Sequence, residues 1–352
     1  MIFSKFTYPA PLRRGSRIGI TGPSGGVAPR FHNRLDYVIQ NLKNHGFEVV
    51  EGDCLRDEKK HVSAEKTARA RDLQRFLLDD SLDAISPPWG GEVLIEILPL
   101  LDFEKIQAAK PKWITSYSDI STLHFAITTR TGIATAQTPN LMDFVPRPQG
   151  SHDAMTELCF EILSTKSGAV VTQNSSSHYQ VSPRIDFEKD FKAGYMPTLP
   201  TQWKSLNGDK AERFEGRLIG GCLDTISCLT GTYSGNLENF RRVASNDGMI
   251  FYFENCEGTP PAVVRMVQNM RQAGWFDGAN GILVGRSLAP DTNDANQLNY
   301  VEALHWALDG IKVPVIYDVD IGHQPPQMTL INSAKAEVIF EAGKGSVSQR
   351  WG

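Results

Sequence analysis

The sequence predicts an α/β protein, with an N-terminal doubly wound parallel-sheet domain followed by a smaller, β-rich α/β C-terminal domain. Three observations carry this. From Arg17 onward, short apolar runs alternate with amphipathic stretches, the pattern of strands joined by helical crossovers. The chain has 352 residues, close to two domains at about 150 residues each. Its 30 glycines and 20 prolines interrupt the chain too often for a bundle of long helices.

The elements follow in order. Residues 17–21 (RIGIT) read as a buried strand ending in the turn Gly22-Pro23-Ser24-Gly25-Gly26. Phe31, Leu35, Val38, Ile39 and Leu42 recur at helical spacing, and Gly46 stands where a helix terminates. Residues 47–50 form a second strand, and Ser63 is positioned to cap a helix carrying Leu73, Phe76 and Leu77. A third strand over 83–88 runs into Trp89-Gly90-Gly91. A helix over 92–101, a strand over 113–117 and a helix over 119–130 complete the first unit.

From 173 to 215 the chain is rich in Ser, Pro, Lys and Asp with little clean period, and it reads as a connection with some short strands. The expected organisation is therefore residues 1–168, a connection over 169–212, and a second domain over 213–352. The second domain opens with GRLIGG (216–221), followed by a helix near 223–229. A buried strand covers 249–253 and a helix 262–273, and strands follow over 281–284 and 313–319. The tail 329–351 reads as two antiparallel strands around Gly343.

Composition narrows the function. A formal charge of −4 supplies no basic field for a nucleic acid polymer or a membrane surface. No run approaches the ~18 apolar residues of a spanning helix. The N-terminus lacks the apolar stretch of a signal peptide. Five scattered cysteines without a C-x-x-C pair suit a reducing compartment rather than a disulfide framework. The eight histidines show no metal-ligand spacing. The expectation is a soluble cytoplasmic protein with no metal and no cofactor.

Four constellations could carry chemistry. The turn at 22–26 lacks the G-x-G-x-x-G spacing of a dinucleotide fingerprint, and Pro23 has no amide to offer a phosphate, so a nucleotide-dependent oxidoreductase is a weak alternative. Tyr117-Ser118-Asp119 lies where a strand runs into a helix, a turn that lifts a serine hydroxyl above a sheet near free amides. Ser118 is otherwise an ordinary helix cap, and Asp119 a first-turn acid. Trp89-Gly90-Gly91-Glu92 ends another strand, and its glycines suit either a plain turn or an oxyanion hole. Finally, Glu254 closes a buried apolar run and His323 follows the strand at 313–319. Ligand sites in such sheets lie beyond the carboxyl ends of strands, where Ser118, Glu254 and His323 all fall. Serine, acid and histidine supply nucleophile, orienting group and base. Taken alone, Glu254 reads first as a surface acid and His323 as a hydrogen-bonded turn histidine. His124 is a competing base, placed well round the helix from Ser118. Cys222 and Cys256 are conceivable thiol nucleophiles, or simply small buried residues.

These residues resemble the serine LD-carboxypeptidases, most closely the branch of microcin C self-immunity peptidases. The carriers are 17–22, PPWGGE (87–92), ILPLLDF (97–103), Tyr117-Ser118-Asp119, EGRLIGG (215–221), FYFE (251–254), Gly322-His323 and Met328-Thr329-Leu330, over nearly the whole chain. The resemblance implies a Ser-Glu-His triad of Ser118, Glu254 and His323, with oxyanion-hole amides at Gly91 and Asp119. It implies an active-site cleft between the two domains, a homodimer, and hydrolysis of a small amide without metal. It also implies that Trp89, Gly90, Glu92 and Cys222 contact substrate, and that Tyr179 is the loop aromatic that stacks on a nucleobase. Two positions depart from the family pattern. Ser116 stands where many members have glycine, and Cys222 where many have asparagine. Peptidoglycan-cleaving members carry arginine before the glycines where this chain has Trp89, which tilts the expected partner from a murein tetrapeptide toward an aminoacyl- or peptidyl-nucleotide. A catalytically silent binding protein on the same scaffold is the remaining reading, and it requires the triad side chains to lie apart.

Overall fold

A computed structural model describes every residue except 1, 183, 184 and 209. The first sheet contains β1 (Arg17–Ile20), β2 (Glu48–Glu51), β3 (Ala84–Ile85) and β4 (Trp113–Ile114) in the order β2-β1-β3-β4, all parallel. Its strands are short because they need only carry the chain into the loops that matter. Ile18, Ile20, Ala84, Ile85 and Trp113 are fully buried, as a sheet with both faces covered requires. Helix α1 (His32–Asn44) buries Leu35, Val38, Ile39 and Leu42, the residues its period singled out, and Gly46 follows at φ +90°.

Three local expectations fail for identifiable reasons. Helix α2 (Lys66–Leu78) starts after Ser63, whose hydroxyl instead donates to the Gly22 carbonyl at 2.5 Å, tying this segment to the first turn. The helix expected over 92–101 is a shorter 3₁₀ segment, Leu94–Leu100, with Pro99, which has no amide to donate, in its last turn. The strands expected over 83–88 and 113–117 stop at Ile85 and Ile114, and the residues beyond them form site loops.

The second sheet has eight strands: β5 (Val170–Asn174), β6 (Lys204–Ser205), β7 (Glu212–Cys222), β8 (Met249–Glu254), β9 (Ala279–Gly285), β10 (Val315–Val319), β11 (Lys335–Glu341) and β12 (Lys344–Arg350). Their order is β5-β12-β11-β7-β8-β9-β10-β6, with a parallel centre, β7 to β10, flanked by antiparallel strands. The segment read from sequence as a connection therefore supplies both edges of this sheet. Val170–Asn174 alternates exposed and half-buried residues, a two-sided edge pattern too polar to read as a strand in isolation.

The two sheets share one apolar core. Ile114, Ile120, Leu123 and Phe125 from the first half pack in the same cluster as Ile219, Leu223, Phe251 and Phe253 from the second. Polar links add register. Leu330–Ile331 pairs antiparallel with Ala136–Gln137, Gln327 Nε2 donates to the Thr138 carbonyl at 3.0 Å, and the Cys222 amide donates to Ser121 Oγ at 3.0 Å. The last bond ties the helix following Ser118 to the strand end beside Glu254.

Candidate active site

Ser118 sits between β4 and helix α4 (Ile120–Thr131, taking Phe103–Ala108 as α3). Its φ is +64° and that of Ser116 is +89°, a left-handed backbone that non-glycine residues adopt only where the surroundings compel it. The Ser116 side chain helps compel it: its hydroxyl binds Asn140 Oδ1 and lies 3.3 Å from the Pro87 carbonyl, while its amide donates to Thr138 Oγ1 at 2.9 Å. The departure from glycine at 116 thus brings its own partners.

Glu254 ends β8 and is completely buried, and His323 lies four residues beyond β10. His323 Nδ1 stands 3.0 Å from Glu254 Oε2, and Nε2 stands 3.1 Å from Ser118 Oγ. The three side chains meet in one hydrogen-bonded line. Gly322 explains the dipeptide at 322–323. Its φ is +99°, and a Cβ there would lie 2.6 Å from Glu254 Oε2. Burial pulls the His323 pKa down, but the neighbouring Glu254 carboxylate and the Cys256 thiol outweigh it and hold the imidazole well above its ordinary range.

Two groups that sequence reasoning passed over hold the His323 loop. Arg286, at the end of β9, is buried and pairs with Asp320 at 2.9 Å. Its guanidinium also donates to the carbonyls of Gln324 and Pro326, both at 2.9 Å. Asp320 in turn accepts from Trp203 Nε1 and from the Ser176 amide and hydroxyl. The strand-end rule that picked out Glu254 reaches Arg286 equally.

Facing Ser118 is the loop after β3. The Gly90 carbonyl accepts from the Gly25 amide at 3.0 Å, and Trp89 Nε1 donates to the Gly26 carbonyl at 2.9 Å. Asp119 is buried and its Oδ2 accepts from Ser24 Oγ at 2.5 Å and from the Leu94 amide at 2.8 Å, locking both loops to the start of α4. Burial raises its pKa despite these donors. The turn at 22–26 is thus a structural clamp. Its Gly22 and Gly25 amides are spent on the Cys54 and Gly90 carbonyls and Pro23 has none, which takes three of the five positions away from a phosphate. The Gly91 and Asp119 amides, by contrast, have no protein acceptor among the described residues.

A cleft of about 330 Å³ opens over this arrangement, lined by Gly25, Glu58, His61, Trp89, Gly90, Gly91, Glu92, Ser118, Asn140 and His323. Trp89, Gly90 and Glu92 are on its wall. Cys222 and Tyr179 are not. Cys222, register partner of Glu254, is buried beside that carboxylate. Tyr179 belongs to a neighbouring cleft beyond the His323 loop, with the Arg286 guanidinium 4.9 Å from its ring centroid. His124 is excluded as the base, being fully buried with Nε2 directed at the Thr115 carbonyl and a pKa pushed down to about 3 by burial. Among the described residues no helix is long and apolar enough to cross a membrane.

Comparison with known proteins agrees with the geometry. Residues 18–138 match the LD-carboxypeptidase N-terminal domain, and residues 215–338 match the LD-carboxypeptidase C-terminal domain. The chain belongs to the LD-carboxypeptidase family. Members similar to it over the whole length include the microcin C7 self-immunity protein MccF of Escherichia coli, 24% identical over 100% of this chain and 98% of the relative. A probable murein peptide carboxypeptidase of Bacillus subtilis is 25% identical over 97% of each. Among solved structures, MccF in complex with glutamyl sulfamoyl guanosine superposes with a TM-score of 0.81 at 23% identity, covering 97% of this chain and 98% of that one. An MccF-like protein from Bacillus anthracis gives 0.78 at 21% identity over 98% and 100%. This LD-carboxypeptidase family member is a serine peptidase with a parallel-sheet first domain and a separate sheet-rich second domain.

Proposed function

We propose that this peptidase hydrolyses the amide of a small aminoacyl- or peptidyl-nucleotide, as a microcin C-type immunity enzyme does. The observation that carries the substrate class is the cleft wall. Trp89 offers an indole at the position where peptidoglycan-cleaving members carry arginine, and neither lysine nor arginine lines the cleft among the described residues. A murein tetrapeptide presents a terminal carboxylate, which such a wall leaves without a cationic partner. MccF itself has been crystallised with glutamyl sulfamoyl guanosine and with aspartyl sulfamoyl adenosine, which supports the same class.

In the mechanism we propose, Ser118 Oγ attacks the carbonyl carbon while His323 Nε2 takes its proton. Glu254 holds Nδ1–H and stabilises the imidazolium that forms. Negative charge on the carbonyl oxygen develops between the Gly91 and Asp119 amides, at the positive end of α4. The C–N bond breaks as His323 returns the proton to the leaving nitrogen, giving an ester on Ser118. Water, deprotonated by His323, then releases the acid and restores the hydroxyl. No cofactor takes part. Residues 1–168 contribute the nucleophile and the hole, and 213–352 contribute acid and base, joined through 169–212.

Gly90 tests the hole. A Cβ at this position would lie 2.8 Å from both Ser118 Oγ and the Asp119 amide nitrogen, inside the space the oxyanion would use. Gly90→Ala is expected to lower kcat by about 10²- to 10³-fold with a smaller change in KM, the scale of a lost oxyanion donor. Steady-state kinetics checks it, and unchanged kcat removes this loop from the mechanism.

The substrate class is tested by offering aspartyl sulfamoyl adenosine and, separately, a murein L,D-tetrapeptide. Release of free amino acid from the first alone is expected. Turnover of the tetrapeptide alone reassigns the protein to cell-wall recycling. The family resemblance also supports a homodimer, read by sedimentation equilibrium, and the five unpaired cysteines suit a cytoplasmic location.

A further inference from the structure

Behind the His323 imidazole is an arrangement that hydrolysis does not require. β7 and β8 run parallel and in register, so Cys222 and Glu254 end side by side. One potential ligand atom each from Cys222, Glu254 and His323 all lie within 4.8 Å of one another. Cys222 is 1% exposed and Glu254 0%, while the His323 side chain retains 12% exposure toward the cleft.

A second observation points to what this cluster would take. Glu254 Oε2 accepts from His323, but Oε1, fully buried, has no well-formed hydrogen bond among the described residues, and the Cys222 thiol beside the carboxylate is only a weak donor to it. A buried carboxylate oxygen without a strong donor is costly, and a cation is the other group that satisfies it. The donor set, one thiol, one imidazole and one carboxylate, is the mixture that zinc-type ions prefer over magnesium or calcium. The charges balance as well. One thiolate and one carboxylate neutralise a divalent ion, so the buried site carries no net charge when filled.

We propose that Cys222, Glu254 and His323 form an inhibitory site for a thiophilic divalent cation, of which Zn²⁺ is the type. Zn–S and Zn–N bonds of about 2.3 and about 2.0 Å place the ligand atoms roughly 3–4 Å apart, so the cluster closes by small side-chain movements. The ion enters from the cleft, and a water on that side completes four ligands. Burial keeps the free Cys222 thiol protonated and Glu254 favours the imidazolium of His323, so the Sγ–H proton and one imidazolium proton both leave to solvent as the two bonds to the metal form. Both imidazole nitrogens are engaged in the catalytic line. A metal on Nδ1 displaces the bond to Glu254, and a metal on Nε2 displaces the bond to Ser118. In either case His323 has lost the lone pair or the orientation it needs as a base. The inhibitory consequence rests on the triad reading above, whereas cation binding does not.

The test uses the full chain, reduced and stripped of metal, titrated with Co²⁺. Thiolate-to-cobalt charge-transfer absorption should rise to one equivalent and collapse on adding Zn²⁺. Cys222→Ser should abolish the band and weaken Co²⁺ binding at least tenfold by calorimetry. Glu254→Gln should weaken it comparably, and Cys228→Ser, which alters an exposed thiol, should leave it unchanged. Absence of the band in the unmodified protein, or its persistence in Cys222→Ser, overturns the site. Should Cys222→Ser fail to fold by circular dichroism, His323→Ala decides instead, and an undiminished band there is equally fatal. With a turned-over substrate, saturating Zn²⁺ should inhibit at least tenfold and a chelator should restore the rate. Cobalt binding without inhibition overturns the regulatory role. Cobalt binding with no hydrolysis of any substrate would instead break the functional reading and leave the cation site standing.

Discussion

Ser118→Ala is expected to reduce kcat by about 10⁶-fold, the loss found when a triad nucleophile is removed while the rest of the site stays intact. The structure supports a clean effect. Among the described residues the Ser118 hydroxyl is bonded only to His323 Nε2, and alanine meets the same +64° backbone that serine already occupies. Folding should be nearly unaffected, with a thermal midpoint within a few degrees of the parent. Residual turnover would come from the Gly91 and Asp119 amides and from substrate positioning. The measurement is single-turnover release of amino acid, with mass spectrometry for an acyl adduct on residue 118 of the unmodified enzyme. Retention of rate in the variant would remove Ser118 as nucleophile and reopen the thiol reading, for which Cys256, whose thiol acts on His323, is a candidate.

Glu254→Gln carries the second large effect, about 10⁴-fold in kcat, the scale seen when the acid of such a triad becomes an amide. Its pH dependence distinguishes orientation from mere packing. In the parent, the Glu254 carboxylate raises the His323 pKa, so the imidazole is protonated at low pH and cannot accept the Ser118 proton. Activity should rise with pH along a limb set by His323, on the alkaline side of a free imidazole. Removing the carboxylate withdraws the stabilisation of the imidazolium, so the limb must move toward lower pH as the plateau falls. A fallen plateau with an unmoved limb would show that Glu254 acts only by filling space between Gly285 and Gly322.

The sequence placed most of the helices and strands in this protein within a few residues, and the errors share a cause. The apolar period of α1 is local, so Leu35, Val38 and Leu42 announce their burial directly. Ser63 misleads because the partner that redirects it, the Gly22 carbonyl, is distant in the chain, and the apolar run at 92–101 does not distinguish an α-helix from the 3₁₀ segment Leu94–Leu100. Short strands are expected in the connection, but that Val170–Asn174 and Lys204–Ser205 form the edges of the second sheet is not legible, because an edge strand is stabilised by its neighbour's hydrogen bonds, which composition does not report. The helix at Tyr300–Leu308 carries a readable signal that was passed over, the Asn299–Glu302 capping box.

By itself, the sequence determined that this is an α/β chain with a serine, a glutamate and a histidine each at the carboxyl end of a strand, because strand endings follow from local runs of apolar residues. Only the tertiary structure decided that Ser118, Glu254 and His323 are collinear, since the spacings of 136 and 69 residues between them say nothing about distance until the shared core closes the two sheets together. It also decided what the sequence left ambiguous at the margins. The glycine turn at 22–26 became a clamp on the loop at 89–91, Tyr179 went to a neighbouring cleft, and Cys222 went beside Glu254 and out of the cleft. Those outcomes depend on which backbone amides are already spent and which side of a strand end faces solvent. Both are set by strand register between distant segments, and no local pattern of residues encodes them.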